Sequence, residues 1–455
     1  MKKKVIAVIC FLIILFVTLW KVSDVLSFKF AEGNTIVSDF YKLDKNKVDV
    51  LFVGSSHCYV NFNNGELWDD YGIASYNLGS SDQPMWNTYY YVKEALKTQK
   101  PKLIVLEAYG LTYDFEYSEE SRIIKSTYGL RGSADKIKNV LVSTPPGTRK
   151  SFLVEYGRYH SRYSSLNQGD FYQDSEYLDS TNYWHYKGTK GQYLIGRINP
   201  ITLNDVSGIT ESSDIHPKAE EYYRKILELA KEKNIPIAVV VTPFDVMDLS
   251  EQSKLIRGAE IAAEYDVKFL NCNLLYDEIG MDGWDYYDLV HMTESGSRKF
   301  SKYIGAYLTE NFDVPDRRGD DKYDSWQYTA DYTREFAINT KLKNCYDYNE
   351  IKEYLEVDGH VIFVARNDEQ KSMCIIEGGE SVWSSDEACA PKYVSYKFHD
   401  ICMSSGEDGK NSIVVDGNRV KQVANGITFV VYDKFTETIV DSFVVDFDNN
   451  NAISR

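Results

Sequence analysis

Two serines and a histidine follow a short apolar run near the start of the chain. The stretch LFVGSSHCYV, residues 51–60, is typical of a buried strand that stops at Gly54 and continues into Ser55, Ser56 and His57. A serine hydroxyl is a weak nucleophile until a neighbouring base takes its proton. In an open parallel sheet, a residue at this position lies at the carboxyl edge, where ligands bind. Ser56 is therefore a candidate nucleophile.

Polar residues after other predicted strands supply the rest of an acyl-transfer site. Asp288 and His291 form an Asp-x-x-His pair just before the last predicted helix of this region. His291 would act as the general base, and Asp288 would fix the tautomer of its ring. A tetrahedral oxyanion needs backbone donors, and the N–H groups of Ser56 and Gly79 are the candidates.

Each of these residues also has a structural interpretation. Ser56 considered alone is a plausible helix N-cap, and His291 could be a buried structural histidine. We interpret His57 as structural, because its side chain should point away from that of its neighbour. Glu107 ends a predicted strand at the same edge, and we interpret it as hydrogen-bonded framework rather than a substrate contact.

The elements that would position the site alternate along the chain between about 48 and 312. Continuous apolar runs predict five strands, at 48–53, 73–78, 103–106, 235–241 and 267–270. Apolar residues at helical spacing predict helices at 218–233, 251–264 and 294–310. Apolar strands separated by helices indicate an α/β fold with a parallel sheet covered on both faces.

The remaining chain differs in character. Residues 111–215 are too long for a structureless loop, so we expect an inserted subdomain or lid there. The charged stretch 313–326 predicts a linker. Beyond it, short β-rich segments separated by turn residues predict a second, α+β domain over 327–455. The first domain would then span 28–312.

The N-terminus predicts a membrane anchor. Three lysines follow Met1, and residues 5–20 form an unbroken apolar run. As a helix this run spans about 24 Å, close to the hydrocarbon core of about 30 Å. No clear cleavage site follows, so we expect an uncleaved signal-anchor over 1–27, with a cleaved signal peptide as the alternative. The lysines should stay in the cytoplasm and leave the rest of the chain outside.

Composition disfavours some classes of partner and cofactor. The 455 residues carry a net charge of −17, which argues against nucleic acid as a partner. The 7 cysteines form no CxxC motif, and the histidines form no His-x-His cluster. We therefore expect no metal and no other cofactor.

The ordered set of motifs resembles the SGNH/GDSL hydrolase superfamily over roughly residues 45–312. The motifs are Gly-Ser-Ser at 54–56, Gly79, and Asp-x-x-His at 288–291. The family's usual first block is Gly-Asp-Ser. The Gly-Ser-Ser variant is similar to an exported, membrane-anchored branch that includes DltD-type D-alanine transfer proteins and AlgX-like polysaccharide O-acetyltransferases.

This resemblance implies a flavodoxin-like, three-layer fold with an inserted lid. It implies that Ser56 is the nucleophile, His291 the base, Asp288 the acid and Gly79 an oxyanion donor. It also implies a cell-surface polysaccharide or its acyl donor as the substrate, and a membrane-bound O-acyltransferase as a partner that delivers the acyl group.

One family block is missing, and one inserted segment adds candidates. The family places an Asn after strand three, where this chain reads LEAYG. Gln83, Asn87 or Tyr109 could replace that donor, and the sequence does not choose among them. His160 and Arg162, in RYHSRYSSL, resemble a segment of the exported branch. We expect them, with Gln83, to contact substrate, and a solvated basic patch is the alternative.

The tail, from NSIVVDGNRV to FVVDF, resembles the interleukin-like EMT inducer (ILEI) domain of bacterial surface proteins. The resemblance implies a partner-binding or glycan-binding module.

Two functions stay open for the whole chain: a serine acyltransferase or esterase, and a non-catalytic surface adaptor built on a degenerate site. A His291 side chain near Ser56, with Asp288 behind it, favours the enzyme.

Overall fold

The computed structural model describes residues 2–27, 31–153, 155–166, 168–171, 184–185, 189–196, 198–246, 248–357, 359–385, 390–406 and 409–455. The chain divides into two compact units, Met1–Ala330 and Asp331–Arg455.

The boundary between the units falls later than the predicted linker at 313–326. That stretch belongs to the first unit because its side chains are bound there. The Arg317 guanidinium pairs with the Asp49 carboxylate, with Nε 2.7 Å from Oδ2. Trp326 is buried, and its indole N–H donates to the carbonyl of Ser75 at 2.8 Å.

A five-stranded parallel sheet forms the centre of the first unit. Its strands are β1 (Val50–Gly54), β2 (Ser75–Gly79), β3 (Leu103–Glu107), β6 (Ile237–Val241) and β7 (Lys268–Asn271), in the order β2-β1-β3-β6-β7. All four pairings are parallel, as predicted. Two short strands, β4 (Trp184–His185) and β5 (Leu194–Ile195), pair separately.

Helices follow the strands and cover both faces of the sheet. Those of the first unit are α1 (Lys2–Leu26), α2 (Ile36–Lys42), α3 (Ser56–Asn61), α4 (Asn64–Tyr71), α5 (Met85–Ala95), α6 (Glu120–Thr127), α7 (Ala134–Ser143), α8 (Arg149–Leu153), α9 (Glu155–Tyr159), α10 (Pro217–Lys233), α11 (Leu249–Glu264), α12 (Tyr276–Ile279) and α13 (Glu294–Asn311).

Along each strand, successive side chains pack into hydrophobic clusters on opposite faces of the sheet. Leu51 of β1 packs in a cluster with Trp86 of α5 and other residues on one face. Phe52, the next residue, packs with Phe300 and Ile304 of α13 on the other face. The strands are therefore apolar at consecutive positions, which is why they appear in the sequence as unbroken runs.

The first helix and the insertion share a small core. α1 is long and apolar enough to cross a membrane, a test that signal sequences also pass. Its last residue, Leu26, is buried in a cluster with residues of α6 to α9, among them Ile124, Phe152 and Tyr159. The helices α6 to α9 of the predicted insertion thus pack around the end of α1, and α7 also bonds to α5.

In the residues that the structure describes, the second unit contains two antiparallel sheets and two helices. Its elements are α14 (Asp324–Asn344, beginning in the first unit), α15 (Tyr348–Leu355), β8 (His360–Arg366), β9 (Met373–Glu377), β10 (Glu380–Ser385), β11 (Lys392–Ser395), β12 (Asp400–Ser405), β13 (Asn411–Val415), β14 (Asn418–Arg419), β15 (Gly426–Asp433), β16 (Thr438–Asp446) and β17 (Ala452–Ser454). The sheet order is β10-β9-β8-β15-β16-β17, with β11-β12-β13-β14 as a second sheet. Ile362 of β8 packs toward the helices, and Phe363 packs toward the second sheet. This architecture agrees with the predicted β-rich region.

Candidate active site

A sharp turn between β1 and α3 places Ser56 at the carboxyl edge of the sheet. Ser55 caps α3, and its hydroxyl accepts the N–H of His57 at 3.3 Å. Ser56 is the first residue of the helix and is 5 % exposed. The cap is therefore Ser55, and the interpretation of Ser56 as the cap is wrong. Within the part of the chain that the structure describes, the Ser56 hydroxyl makes no hydrogen bond. Contacts between nucleophile and base often tighten only around substrate.

Glu107 at the end of β3 fastens this turn. Its Oε2 accepts the Ser55 N–H at 3.1 Å and the Ser55 hydroxyl at 2.8 Å, and its Oε1 accepts the Tyr109 N–H at 2.5 Å. Burial raises the pKa of Glu107 to about 7, while these hydrogen bonds act in the opposite direction. A Cβ on Gly54 would lie 2.7 Å from the Cβ of Glu107, so the turn requires glycine there. Glu107 is framework, as expected.

Asp288 and His291 form the expected pair. The His291 Nδ1 lies 2.8 Å from Oδ2 of Asp288 and 3.1 Å from Oδ1. Oδ1 also accepts the main-chain N–H groups of Val290 and His291. Burial acts to raise the pKa of Asp288, but the bond and charge of His291 and the two N–H groups outweigh it, so this pKa lies below its ordinary value. With Nδ1–H directed to Asp288, Nε2 is the basic nitrogen of the neutral ring.

Asn61 of α3 attaches the loop of His291 to the helix that begins with Ser56. Its Oδ1 accepts the Met292 N–H at 3.1 Å, and its Nδ2 donates to the carbonyl of Val290 at 3.4 Å. Nδ2 also lies 2.9 Å from the hydroxyl of Thr242, the residue that follows β6. The nucleophile helix, the histidine loop and the end of β6 are thus joined through one amide.

His57 lies beside His291 and is structural, as expected. The two ring centroids are 6.0 Å apart, and the His57 ring stacks on Tyr109 at 4.0 Å. Its Nδ1 lies 3.1 Å from the Thr242 hydroxyl. Burial, and then the charge of His291, hold the pKa of His57 well below its usual range, so this ring is neutral. The contact places the His291 ring beside the residue that follows Ser56 in the chain. The pairing of His291 with Ser56 itself stays a prediction.

Gly79 ends β2 directly beside the turn. It pairs in register with Gly54 of β1. A Cβ on Gly79 would lie 2.5 Å from the Gly54 carbonyl oxygen and 3.0 Å from that of Ser55. Only glycine allows this close approach. Its role as an oxyanion donor stays a prediction.

The structure separates the three candidates for the missing donor. Asn87 uses its Nδ2 to bond Asn139 and Ser143 of α7, both at 2.8 Å, so it holds the insertion to α5. Tyr109, in contrast, stacks on His57. Burial raises its pKa, and so do the charges of Glu251, Glu107 and Asp288. Tyr109 is the candidate that the fold brings to the site.

Gln83 is the third candidate and was also expected to contact substrate. It is 1 % exposed, donates to the Thr88 hydroxyl at 3.1 Å and accepts from that of Ser80 at 2.9 Å. The side chain fixes the loop between β2 and α5. This placement differs from the predicted substrate contact, because a buried amide must find its partners within the protein.

The structure places Arg162 at the end of α1, with His160 two residues before it. The Arg162 guanidinium donates to the Leu26 carbonyl at 2.6 Å and to Asp170 Oδ1 at 2.7 Å. The Nδ1 of His160 lies 3.1 Å from the carbonyl of Gly157. These bonds give Arg162 a structural role, and the contact of His160 and Arg162 with substrate stays a prediction. Guanidinium is well suited to bind the carbonyl groups that a helix leaves at its C-terminus.

The sequence analysis missed Asn61 and Thr242. Both carried a usable signal. Thr242 directly follows the apolar run of β6, so it lies at the same carboxyl edge as the other candidates. Asn61 lies five residues after Ser56, where an apolar residue would be expected on a short helix with no exposed face.

One group of described residues has the side chains that metals prefer, and it lies in the second unit. The potential ligand atoms of Glu335, His360 and Asp433 lie within 4.8 Å of one another. The amide of Asn339 bridges two of them, with Oδ1 2.8 Å from His360 Nε2 and Nδ2 2.7 Å from Asp433 Oδ2. His360 and Asp433 both have hydrogen-bond partners within the protein, and we assign no metal to the group.

Comparison with known proteins finds only distant structural similarity. No protein-family model and no curated protein matches the chain. A solved structure assigned to the G-D-S-L lipolytic family from Desulfitobacterium hafniense DCB-2 aligns with a TM-score of 0.28 at 10 % identity, covering 57 % of this chain and 98 % of that one. A structure assigned as an acylhydrolase from Bacteroides fragilis NCTC 9343 aligns with a TM-score of 0.31 at 13 % identity, covering 62 % and 99 %. At these scores the likeness supports neither a fold nor a function by itself.

Proposed function

We propose that this protein is a membrane-anchored serine acyl-transfer enzyme that adds or removes an O-acyl group on a cell-surface polysaccharide. One observation carries the proposal. The hydrogen-bonded pair of Asp288 and His291 is held by Asn61 on the helix that begins with Ser56. A base, its orienting acid and a hydroxyl at one sheet edge are the groups that acyl transfer requires.

The first half-reaction forms an acyl-serine. Nε2 of His291 takes the Ser56 proton while Oγ attacks the carbonyl carbon of the acyl donor. A base in this role typically contributes about 10²- to 10⁴-fold to the rate. The negative charge that develops on the carbonyl oxygen is stabilised by backbone N–H groups, for which Ser56 and Gly79 are the candidates. The bond to the leaving oxygen then breaks, and that oxygen receives the proton from His291.

The second half-reaction releases the acyl group. A hydroxyl, from water in an esterase or from a sugar in a transferase, loses its proton to His291 and attacks the acyl-serine. The tetrahedral intermediate collapses, the proton returns to Ser56, and the new acid or ester leaves. Asp288 stabilises the imidazolium in both halves. The two activities therefore share one intermediate and differ in which hydroxyl reaches it.

The cellular setting is supported by the N-terminus and by the family resemblance. The apolar α1 supports an anchor whose lysines face the cytoplasm, with both units outside. The resemblance to the exported branch supports a polysaccharide substrate, acetyl as the acyl group, and a membrane-bound O-acyltransferase partner. The second unit would bind a glycan or a protein partner.

The test is to trap the intermediate. Detergent-purified full-length protein would be mixed with p-nitrophenyl acetate and analysed by intact mass and peptide mapping. We expect an acetyl group on Ser56 that decays with time, and that decays faster with an oligosaccharide acceptor if the protein is a transferase. His291→Ala should prevent its formation. A folded protein that never acetylates Ser56 would favour the surface adaptor.

A further inference from the structure

We propose that the insertion carries a second membrane contact, a docking surface formed by Leu153, Tyr163 and Phe171 that lies in the interface of the bilayer. The inference rests on the proposed anchoring through α1. The three side chains are 43 %, 75 % and 61 % exposed.

The exposure of α1 locates the bilayer surface on this helix. Residues 2–22 are exposed along their whole length, although most of them are apolar. Burial within the protein begins at Ser23, and Leu26 is packed in the core of the insertion. An apolar helix that no protein covers needs lipid around it. The lipid should therefore end near the last turn of α1.

The docking surface is held at that level by bonds to the same turn. Arg162 donates to the carbonyl of Leu26 and pairs with Asp170. Both members of the pair are largely buried, with side-chain exposures of 13 % and 5 %. Tyr163 follows Arg162 and Phe171 follows Asp170. Each exposed aromatic is thus one residue away from the bonds that reach the end of α1.

The chemistry of the surface suits the edge of a bilayer. Aromatic side chains, Tyr and Trp above all, are enriched where hydrocarbon meets the head groups, because one part of the ring system is apolar and the other is polar. Lys150, exposed and three residues before Leu153 on α8, supplies a cation near anionic head groups. We propose that lipid covers the docking surface, because its bonds to the end of α1 hold it at the level where the bilayer should end.

Docking here would direct the candidate active site toward the membrane. After α1, residues 31–35 pack on the loop that follows β2. The Ser81 N–H donates to the Glu32 carbonyl at 3.5 Å, and a Cβ on Gly33 would lie 3.1 Å from that of Ser80. That loop starts directly after Gly79, at the sheet edge where Ser56 lies. An acyl donor held at the membrane surface would therefore meet the site without diffusing through bulk water.

Tryptophan quenching by brominated lipid measures this contact. Full-length protein would be reconstituted into vesicles of phosphatidylglycerol with either ordinary or brominated phosphatidylcholine. Phe171→Trp and Tyr163→Trp each add a reporter, and the emission of wild type is subtracted. Lys102→Trp, an exposed position just before β3 at the opposite edge of the sheet, is the matched control. Trp20 of α1, compared with Trp20→Phe, reports insertion of the anchor.

We expect the emission added at 163 and 171 to be quenched to an extent comparable with that of Trp20, and several-fold more than the emission added at 102. If Trp20 is quenched and the two reporters behave like the control, the docking surface is overturned while the anchor stands. If Trp20 itself is not quenched, both the anchoring and this inference are overturned. Acetylation of Ser56, measured separately, would still decide the catalytic part of the proposed function.

Discussion

Asn61 bonds the main chain on both sides of His291. It accepts the N–H of Met292 and donates to the carbonyl of Val290. Because Asn61 ends the six-residue helix that begins with Ser56, one helix positions both the candidate nucleophile and its base.

Replacing Asn61 by Ala should disturb the site more than the fold. The loss of two bonds beside His291 lets the ring shift, and a shift of about 1 Å can cost about 10²-fold in rate. The free energy of unfolding should fall by about 1–3 kcal/mol, because Thr242 and the Met292 N–H lose a buried partner. Small-ester kinetics and urea unfolding measure the two effects.

Asn139→Ala is the matched control for that variant. Asn139 is also fully buried, accepts from Asn87 and donates to the carbonyl of Ser126. Its replacement should cost similar stability with kcat largely retained. Equal losses of kcat in both variants would contradict a specific role for Asn61.

Gly79→Ala should displace the nucleophile turn. The added methyl group would lie 2.5 Å from the carbonyl oxygen of Gly54, which is main chain and cannot rotate away. We expect a loss of kcat of about 10²-fold together with a lower melting temperature. Gly208→Ala, where no atom lies within 4 Å of the new methyl group, should change neither. Full activity of Gly79→Ala would show that β2 does not support the site.

Glu107→Gln should change how stability depends on pH. Burial raises the pKa of Glu107 from 4.5 to about 7. A carboxyl whose pKa is raised by folding stabilises the fold below its unfolded pKa, and this contribution is lost as the pH rises through about 7. The free energy of unfolding of wild type minus that of the variant should therefore fall by up to about 3 kcal/mol between about pH 4.5 and about pH 7.5. Urea unfolding at several pH values measures it, and a constant difference would contradict the raised pKa.

Arg162→Ala should lower stability and leave substrate affinity unchanged. The variant leaves Asp170 buried without its cation, a loss that typically costs about 3 kcal/mol or more. Lys225→Ala, which removes a half-exposed pair with Glu221, should cost less than about 1 kcal/mol. A raised KM for a small ester with normal stability would instead restore Arg162 as a substrate contact.

The five strands of the parallel sheet were predictable because burial on both faces makes each one an unbroken apolar run bounded by polar residues. Their order could be expected only through the family resemblance. Asp288 and His291 were predictable because they are three residues apart and meet locally. Glu107 and Ser56 were both placed correctly at the sheet edge from strand ends. Glu107 is the last residue of β3, and Ser56 lies two residues after the end of β1.

Contacts between distant segments were not predictable from local pattern. Asn61 and Val290 are 229 positions apart, and no periodicity links them. Arg162 was assigned to substrate because its segment resembles one in the exported branch, whereas its partner in the structure is a main-chain carbonyl at the end of α1, 136 positions away. Ser55 and not Ser56 is the cap because its hydroxyl accepts the N–H of His57, whereas Ser56 is already the first residue of the helix.

The most direct measurement is the reaction of Ser56 with a fluorophosphonate. Such reagents phosphonylate a serine only when a neighbouring base activates it. Full-length protein should gain one adduct on Ser56 by peptide mapping, Ser56→Ala should gain none, and His291→Ala and Asp288→Asn should react much more slowly while keeping the wild-type circular dichroism spectrum. An unmodified Ser56 in well-folded wild-type protein, or equal labelling after His291→Ala, would contradict the assignment of an activated serine.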